Sequence, residues 1–323
     1  MEKHSGHGPD DEQPVTTEDE GSIQYRLPLP ARESFLSYPP QPKLKRLQHP
    51  VWTENKAKLI ERYLYYFELI THHGTYIDGF AGPQQPDLPQ TWAAKLVLDT
   101  EPRWFRHFYL FDIDPTQAAA LERLRDEQPV VDSKGNRVAR SIHVACADFN
   151  IAVHELVRSG DIRPKEATFC LLDQRTFECH WATLKALSEC KRDGQLKIEL
   201  FYFFAHGWIK RAIAGVKKNK QQLADWWGRE DWSELLNIRA QSLMESFVSR
   251  FRVELGYTMA TAWPIYERQD GGSVMYYMIH ATDHPEAPHL MSRAYAKAVQ
   301  PKETPEQLGF SEMTLPNGDA TFK

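Results

Sequence analysis

Four aspartates in this chain each follow an apolar run. Asp78 follows Tyr76-Ile77, Asp112 follows Tyr109-Leu110-Phe111, Asp148 follows Val144-Ala145-Cys146-Ala147, and Asp173 follows Cys170-Leu171-Leu172. Such runs read as strands covered on both faces, so each acid is delivered to a strand's carboxyl end. The first acid also opens the run Asp78-Gly79-Phe80-Ala81-Gly82-Pro83. Two glycines within four residues, followed by proline, make a tight turn from which side chains are largely excluded. In an open α/β sheet that edge is where cofactors bind. A lone Gly-x-x-Gly is commonly an ordinary turn, and a lone strand-ending acid is commonly a helix cap. Four acids in the same relative position behind such a loop point instead to a ligand site.

S-adenosylmethionine fits these residue types. It is dinucleotide-like but has no phosphates, so it needs neither a helix N-terminus aimed at a pyrophosphate nor a strict Gly-x-Gly-x-x-Gly. Its amino-acid portion needs close backbone approach, which Gly79, Ala81 and Gly82 would supply, with Phe80 and Pro83 completing the loop. Asp112 would accept hydrogen bonds from the ribose hydroxyls, and Asp114 belongs to the same cofactor-binding set. Asp148 would accept from the adenine amino group with Phe149 against the ring. Asp78 would face the cationic amino-acid end. Asp173 and Gln174 would sit beside the reacting methyl group as the catalytic pair, Asp173 orienting the lone pair of a target amino group. Methyl transfer is an in-line displacement, which needs positioning more than acid-base work. A metal-dependent hydrolase or nuclease is a competing use of the acids, since carboxylates suit Mg²⁺. Asp78, Asp112 and Asp148 are expected to spread along the cofactor cleft rather than converge on one ion. The four cysteines, Cys146, Cys170, Cys179 and Cys190, lack paired metal spacing. Cys179-His180 has no second ligand pair nearby, so free thiols in a reducing cytoplasm are expected and no metal.

The elements that must carry these residues alternate along the chain. A helix with Leu59, Ile60, Tyr63, Leu64, Phe67 and Ile70 on one face starts after Thr53 and ends at His72-His73-Gly74. Strands are predicted at 75–78, 106–111, 141–147, 167–172 and 197–203, with helices at 92–99, 116–126, 151–159 and 181–190 between them. Strands joined by helices imply a parallel sheet. A helix over 237–255 precedes two antiparallel strands, 257–266 and 273–280, turned at Asp270-Gly271-Gly272, and a last helix covers 286–299.

The chain has 323 residues, 41% hydrophobic and 26% charged, with a net charge of −5. That describes a globular protein with no global attraction to nucleic acid or an anionic membrane. No run of 18 apolar residues predicts a membrane span, and the polar start lacks the apolar stretch of a signal peptide. Residues 1–50 read as a disordered tail and a proline-rich arm carrying Lys43, Lys45 and Arg46, and residues 300–323 read as a loose tail. The domain proper is 51–299, with an insertion at 215–234. There Lys217, Lys218 and Lys220 interleave with Trp226, Trp227 and Trp232, a mix that can hold phosphates and stack bases. The same mix suits a packing or lid-like insertion with buried tryptophans, which is the favoured reading of the two.

Several of these runs resemble the three-Cys-motif partner protein family, bacterial and phage-associated proteins similar to class I methyltransferases. The matching pieces are Tyr76–Pro83, Phe111-Asp112-Ile113-Asp114, Asp148-Phe149-Asn150, Leu171-Leu172-Asp173 with Trp181-Ala182-Thr183-Leu184, and Tyr276–Met291, spanning roughly residues 51–298. The resemblance implies a Rossmann-like class I methyltransferase fold: a mainly parallel central sheet, helices on both faces and a C-terminal antiparallel hairpin. It also implies a partner protein with a three-cysteine motif, such as a radical S-adenosylmethionine enzyme encoded nearby; a cytoplasmic location is expected for this chain. Two departures stand out. Gln84 occupies a place where the family commonly has another glycine, and Asp173-Gln174-Arg175-Thr176 stands where it commonly has Asp-Pro-Tyr/Phe-Gly. Without that proline and aromatic residue, the chain loses a rigid turn and a stacking surface for a flipped base. The leading expectation is therefore a methyltransferase-like protein acting on or with nucleic acid. An inactive partner or adaptor of the same fold is the alternative.

Overall fold

The computed structural model describes residues 55–298, apart from positions 86, 132–134, 136, 192–193, 217–219 and 269–270. Thr53, the amino-terminal arm, Lys217, Lys218, Asp270 and the carboxy-terminal tail lie outside the described residues. The elements run α1 (Lys56–Thr71), β1 (Gly74–Asp78), α2 (Ala93–Asp99), β2 (Phe105–Asp112), α3 (Pro115–Asp126), β3 (Ser141–Cys146), α4 (Phe149–Ser159), β4 (Thr168–Leu172), α5 (Trp181–Ser188) and β5 (Glu199–Phe204). They continue with α6 (Ile209–Gly215), α7 (Lys220–Trp227), α8 (Ala240–Val253), β6 (Met259–Arg268), β7 (Gly271–Thr282) and α9 (Ala287–Lys297). Among the described residues, no helix is long and apolar enough to cross a membrane.

The strands form one mixed sheet of seven in the order β3-β2-β1-β4-β5-β7-β6. The first five are parallel, and β7 runs antiparallel to both β5 and β6. Period-two alternation sorts the side chains of each strand onto two faces. Tyr76, Phe169, Leu171, Phe201 and Phe203 face a core closed by α1, α2, α3 and α9. Ile77, Cys170, Leu172, Leu200, Tyr202 and Phe204 face a second core closed by α4 to α8. Burial on both faces explains why β1, β4 and β5 are buried at every position. Only their ends remain for polar groups.

Local chemistry sets the helix boundaries. Asp114 accepts from the Thr116 and Gln117 amides at the start of α3, and Pro115 fills the first turn. Asp148 caps α4 in the same way, and Gly160 ends it at φ +80°. His72 ends α1 in the left-handed region and donates its N–H to the Glu68 carbonyl.

The insertion is a packing element. Trp226 is 1% exposed, and its Nε1 donates to the Tyr202 hydroxyl at 2.7 Å. The Trp227 ring stacks on the Arg250 guanidinium, which lies 3.7 Å from the Trp181 ring centroid and 4.3 Å from that of Trp227. Neither Trp226 nor Trp227 therefore offers a face to a base. The apolar stripe of α7, including Leu223, needs a core partner, and Phe247 of α8 supplies it at 4.7 Å from Trp226. Trp226→Ala should cost about 3–5 kcal/mol in urea unfolding, while Lys220→Ala should stay within about 0.5 kcal/mol. A Trp226→Ala loss below about 1 kcal/mol would contradict a core role.

Candidate functional site at the carboxyl ends of the parallel strands

The strand order reverses between β1 and β4, which lie side by side. In open α/β sheets the crevice beyond such a reversal is where ligands bind. Asp78 ends β1 and Asp173 follows β4, so both acids stand at this edge.

Asp78 is almost fully buried. Its Oδ2 accepts from the Tyr76 hydroxyl at 2.8 Å and its Oδ1 from the Phe80 N–H at 3.1 Å. Tyr76 lies two residues back on the strand and so shares Asp78's face. The following loop is stitched across three strands. Gly79 N–H donates to the Leu171 carbonyl at 3.1 Å, and Ala81 N–H donates to the Phe111 carbonyl at 2.8 Å. Trp92 Nε1 donates to the Ala81 carbonyl at 2.6 Å. Both glycines are required by close approach rather than by backbone conformation. A Cβ on Gly79 would stand 2.4 Å from the Phe149 ring, and one on Gly82 would stand 2.4 Å from Asp112 Oδ2.

Asp112, at the end of β2, ties this loop to the next one. It accepts from Gly82 N–H at 3.0 Å and from Asp114 N–H at 2.9 Å. Each carboxylate oxygen thus takes one backbone donor and keeps further acceptor capacity. Asp114 and Asp148 hold helix N-termini, with Asp148 Oδ1 accepting from the Asn150 N–H at 2.9 Å. Phe149 differs from the expectation that it faces a ligand ring. It is buried against Phe111, with ring centroids 5.1 Å apart, because Gly79 lets its ring slide beneath the loop. It props up the loop from the core side. Phe80 is half-buried beside it, and Pro83 is buried. Asn150 clips α4 to the segment before α5: its Nδ2 donates to the Glu178 carbonyl, and its Oδ1 accepts from His180 N–H and the Thr183 hydroxyl.

The segment after β4 is already engaged. Asp173 Oδ1 accepts from the Lys56 ammonium at 2.7 Å, with both side chains nearly buried. The Gln84 amide reaches Asp173 Oδ2 at 3.5 Å. Gln174 is buried, and its Nε2 donates to the Phe203 carbonyl at 2.6 Å.

Two contributors were not singled out in the sequence. Lys56 falls one turn before Leu59 and Ile60, a lysine on the apolar stripe of α1, which was a readable signal. Ile113, between Asp112 and Asp114, is 69% exposed although it directly follows a buried strand. Ile151 on α4 is 67% exposed. These give the edge beside Asp112 and Asp148 an apolar surface.

The opposite edge of the sheet has its own cavity of about 300 Å³, bordered by Phe67, Glu166, Lys191, Leu196 and Glu199. Glu199 there accepts from the Tyr63 hydroxyl and, at 2.9 Å, from the Thr282 hydroxyl. Burial holds Lys191 down to about 8. This cavity lies at the amino ends of β4 and β5, away from the loop and the strand-ending acids. All four cysteines are free thiols. Among the described residues, no group of three or more His, Cys, Asp or Glu could hold a metal ion.

Burial raises Asp78 from the ordinary 3.8 to about 7; the Tyr76 and Phe80 hydrogen bonds oppose this, and the charges of Asp173 and Asp112 add to it. The folded state therefore keeps a proton that the unfolded state has lost. Stability from this group is full below 3.8 and falls as pH rises to about 7. Asp78→Asn should remove this slope. The difference in unfolding free energy between variant and wild type should grow with pH in the variant's favour, by up to ~4 kcal/mol between pH ~4 and ~7. A constant difference across that window in urea titrations would refute it.

No family model matches this chain, and no curated protein matches it. Among solved structures, it is similar to the crystal structure of protein LPL1258 from Legionella pneumophila str. Philadelphia 1, described with the family model DUF519. That likeness has 10% sequence identity, a TM-score of 0.43, and covers 76% of this chain and 91% of the other.

Proposed function

We propose that this chain is an S-adenosylmethionine-binding protein of the Rossmann-like class I methyltransferase type, acting on or with nucleic acid. One observation carries the reading. At the reversal between β1 and β4, a glycine loop is held down on Asp112 by a backbone hydrogen bond, so backbone, acid and apolar edge come together. The antiparallel pair β6 and β7 beside β5 agrees with the hairpin that a methyltransferase-like fold implies. The nucleic-acid target comes from the resemblance of the sequence to the three-Cys-motif partner family.

The residues present fit the cofactor by chemistry. The loop backbone from Gly79 to Gly82 would lie along its amino-acid portion, and Asp78 beneath the loop would favour that portion's ammonium. Asp112 retains acceptor capacity for ribose hydroxyls, and Ile113 offers an apolar surface for adenine. Asp148 stands at the next strand end. When bound, the cofactor supplies an electrophilic methyl group on a sulfonium. Asp173 and Gln174 border the far side of the crevice, where they would orient an acceptor amine.

The second reading, a partner or adaptor without catalysis, is favoured by the state of that far side. Asp173 is paired with Lys56, the Gln174 amide is committed to the Phe203 carbonyl, and neither proline nor an aromatic residue follows. A protein with a three-cysteine motif is the partner that the resemblance implies.

Isothermal titration with S-adenosylmethionine and S-adenosylhomocysteine tests the first reading. Binding is expected in the wild type and should weaken roughly 10–100-fold in Asp112→Ala, the scale of a hydrogen bond to a charged group. Gly82→Val should lose binding through the collision with Asp112, with far-UV circular dichroism unchanged. No heat at millimolar cofactor would sink the proposal. Methyl incorporation into DNA or RNA, lost in Asp173→Ala, would exclude the adaptor reading.

A further inference from the structure

Lys56 is placed unusually for a lysine. Its side chain is nearly buried at the first turn of α1, and its ammonium sits 2.7 Å from Asp173 Oδ1. The same nitrogen lies 4.8 Å from the Phe203 ring centroid and 5.0 Å from that of Tyr276. The two rings stand nearly perpendicular, at 86°. Phe203 belongs to β5 and Tyr276 to β7, so carboxylate and rings come from three separate parts of the sheet edge. One carboxylate and two aromatic faces around a cation are a recognition geometry for ammonium groups. A lysine is a costly way to fill space here. Removing an ammonium from water carries a large penalty that the pair repays only with good geometry, and an apolar side chain of similar volume would often serve stability as well.

We propose that the space between Asp173, Phe203 and Tyr276 is a subsite for the primary amino group of an acceptor, and that Lys56 is its internal occupant. The chain's own ammonium stands where the acceptor's would stand, and the crevice is closed until Lys56 is displaced. This deepens the cofactor-binding reading and rests on it for the role of the subsite. Recognition of the ammonium itself rests only on the three side chains. The acceptor class is then a primary amine, bound as its ammonium in the corner formed by the two rings; one proton would pass to the Asp173 carboxylate before the nitrogen lone pair could take the methyl group.

The test replaces the missing part of Lys56. Lys56→Ala removes three methylenes and the ammonium, which n-propylammonium matches, with n-propanol as the neutral control. In thermal unfolding of the full chain, n-propylammonium should raise the midpoint of Lys56→Ala saturably, by about 3–5 °C near saturation, and leave wild type unmoved. The shift should vanish in Lys56→Ala/Asp173→Asn, which removes both charges; a cooperative unfolding transition in that variant is checked alongside. Should Lys56→Ala fail to fold alone, recovery of folded protein on refolding into n-propylammonium but not n-propanol is the same readout. Equal shifts with the alcohol, or a shift that persists without Asp173, would overturn the subsite. Titration of S-adenosylhomocysteine into wild type and Lys56→Met separates the two ideas. Binding without amine rescue removes the subsite and leaves the cofactor reading, and rescue without binding does the reverse.

Discussion

The constraint that organises this molecule is the covering of its parallel strands on both faces. A strand buried at every position cannot carry an unpaired polar side chain along its length without a large desolvation cost. Polar chemistry is therefore pushed to the two edges of the sheet. At the carboxyl edge stand Asp78, Asp112, Asp148 and Asp173. At the amino edge stand Glu166 and Glu199, with the Tyr63, His280 and Thr282 side chains around Glu199. The edges are not equivalent, because the strand order reverses between β1 and β4 and parts the loops at one end only.

Within that edge the acids divide by what they hold. Asp114 and Asp148 satisfy helix amides, work that any N-cap does. Asp112 holds two loops together through backbone donors. Asp78 is buried under the loop with only a tyrosine hydroxyl and one amide, and burial dominates its ionisation. Asp173 alone has a buried cation against it. The four strand-ending acids, alike in sequence, are thus one helix cap, one loop clasp with spare acceptor capacity, one acid buried beneath the loop and one paired with a buried lysine.

Most of the fold was legible because its signals are local. Apolar runs gave the strands, the 3.6-residue stripe of α1 gave its buried face, and Pro115 and Gly160 marked helix ends. The turn glycines before Ser273 marked the hairpin. What could not be read was which side of a motif faces inward. Phe149 follows a strand-ending acid, as a ring-stacking residue would, yet its ring fills the space left by the absent Cβ of Gly79 seventy positions away. The tryptophans of α7 were ambiguous for the same reason, since a stripe that could stack bases could equally face Phe247. The Lys56 pairing has a sequence separation of 117 and leaves no periodic trace beyond a lysine on an apolar stripe. Gln84 and the Asp173 segment, where the sequence departs from the pattern it resembles, are neighbours in space, with the Gln84 amide reaching toward the Asp173 carboxylate.

The two halves of the crevice are coupled through charge. The Asp173 carboxylate raises the proton affinity of Asp78, and Lys56 sits on Asp173 with a compensating positive charge. Withdrawing that ammonium leaves the Asp173 charge uncompensated, so Asp78 holds its proton more tightly. Bringing another cation to Asp173 restores the balance and loosens it. A positive group placed beside Asp78 acts in the opposite sense on that proton, favouring the carboxylate. Exchange of one ammonium for another at Asp173 thus leaves the loop side electrostatically unchanged, whereas simple opening does not. The Lys56 ammonium thus acts on both halves at once: it compensates the Asp173 carboxylate directly and, through it, tempers the charge that raises Asp78.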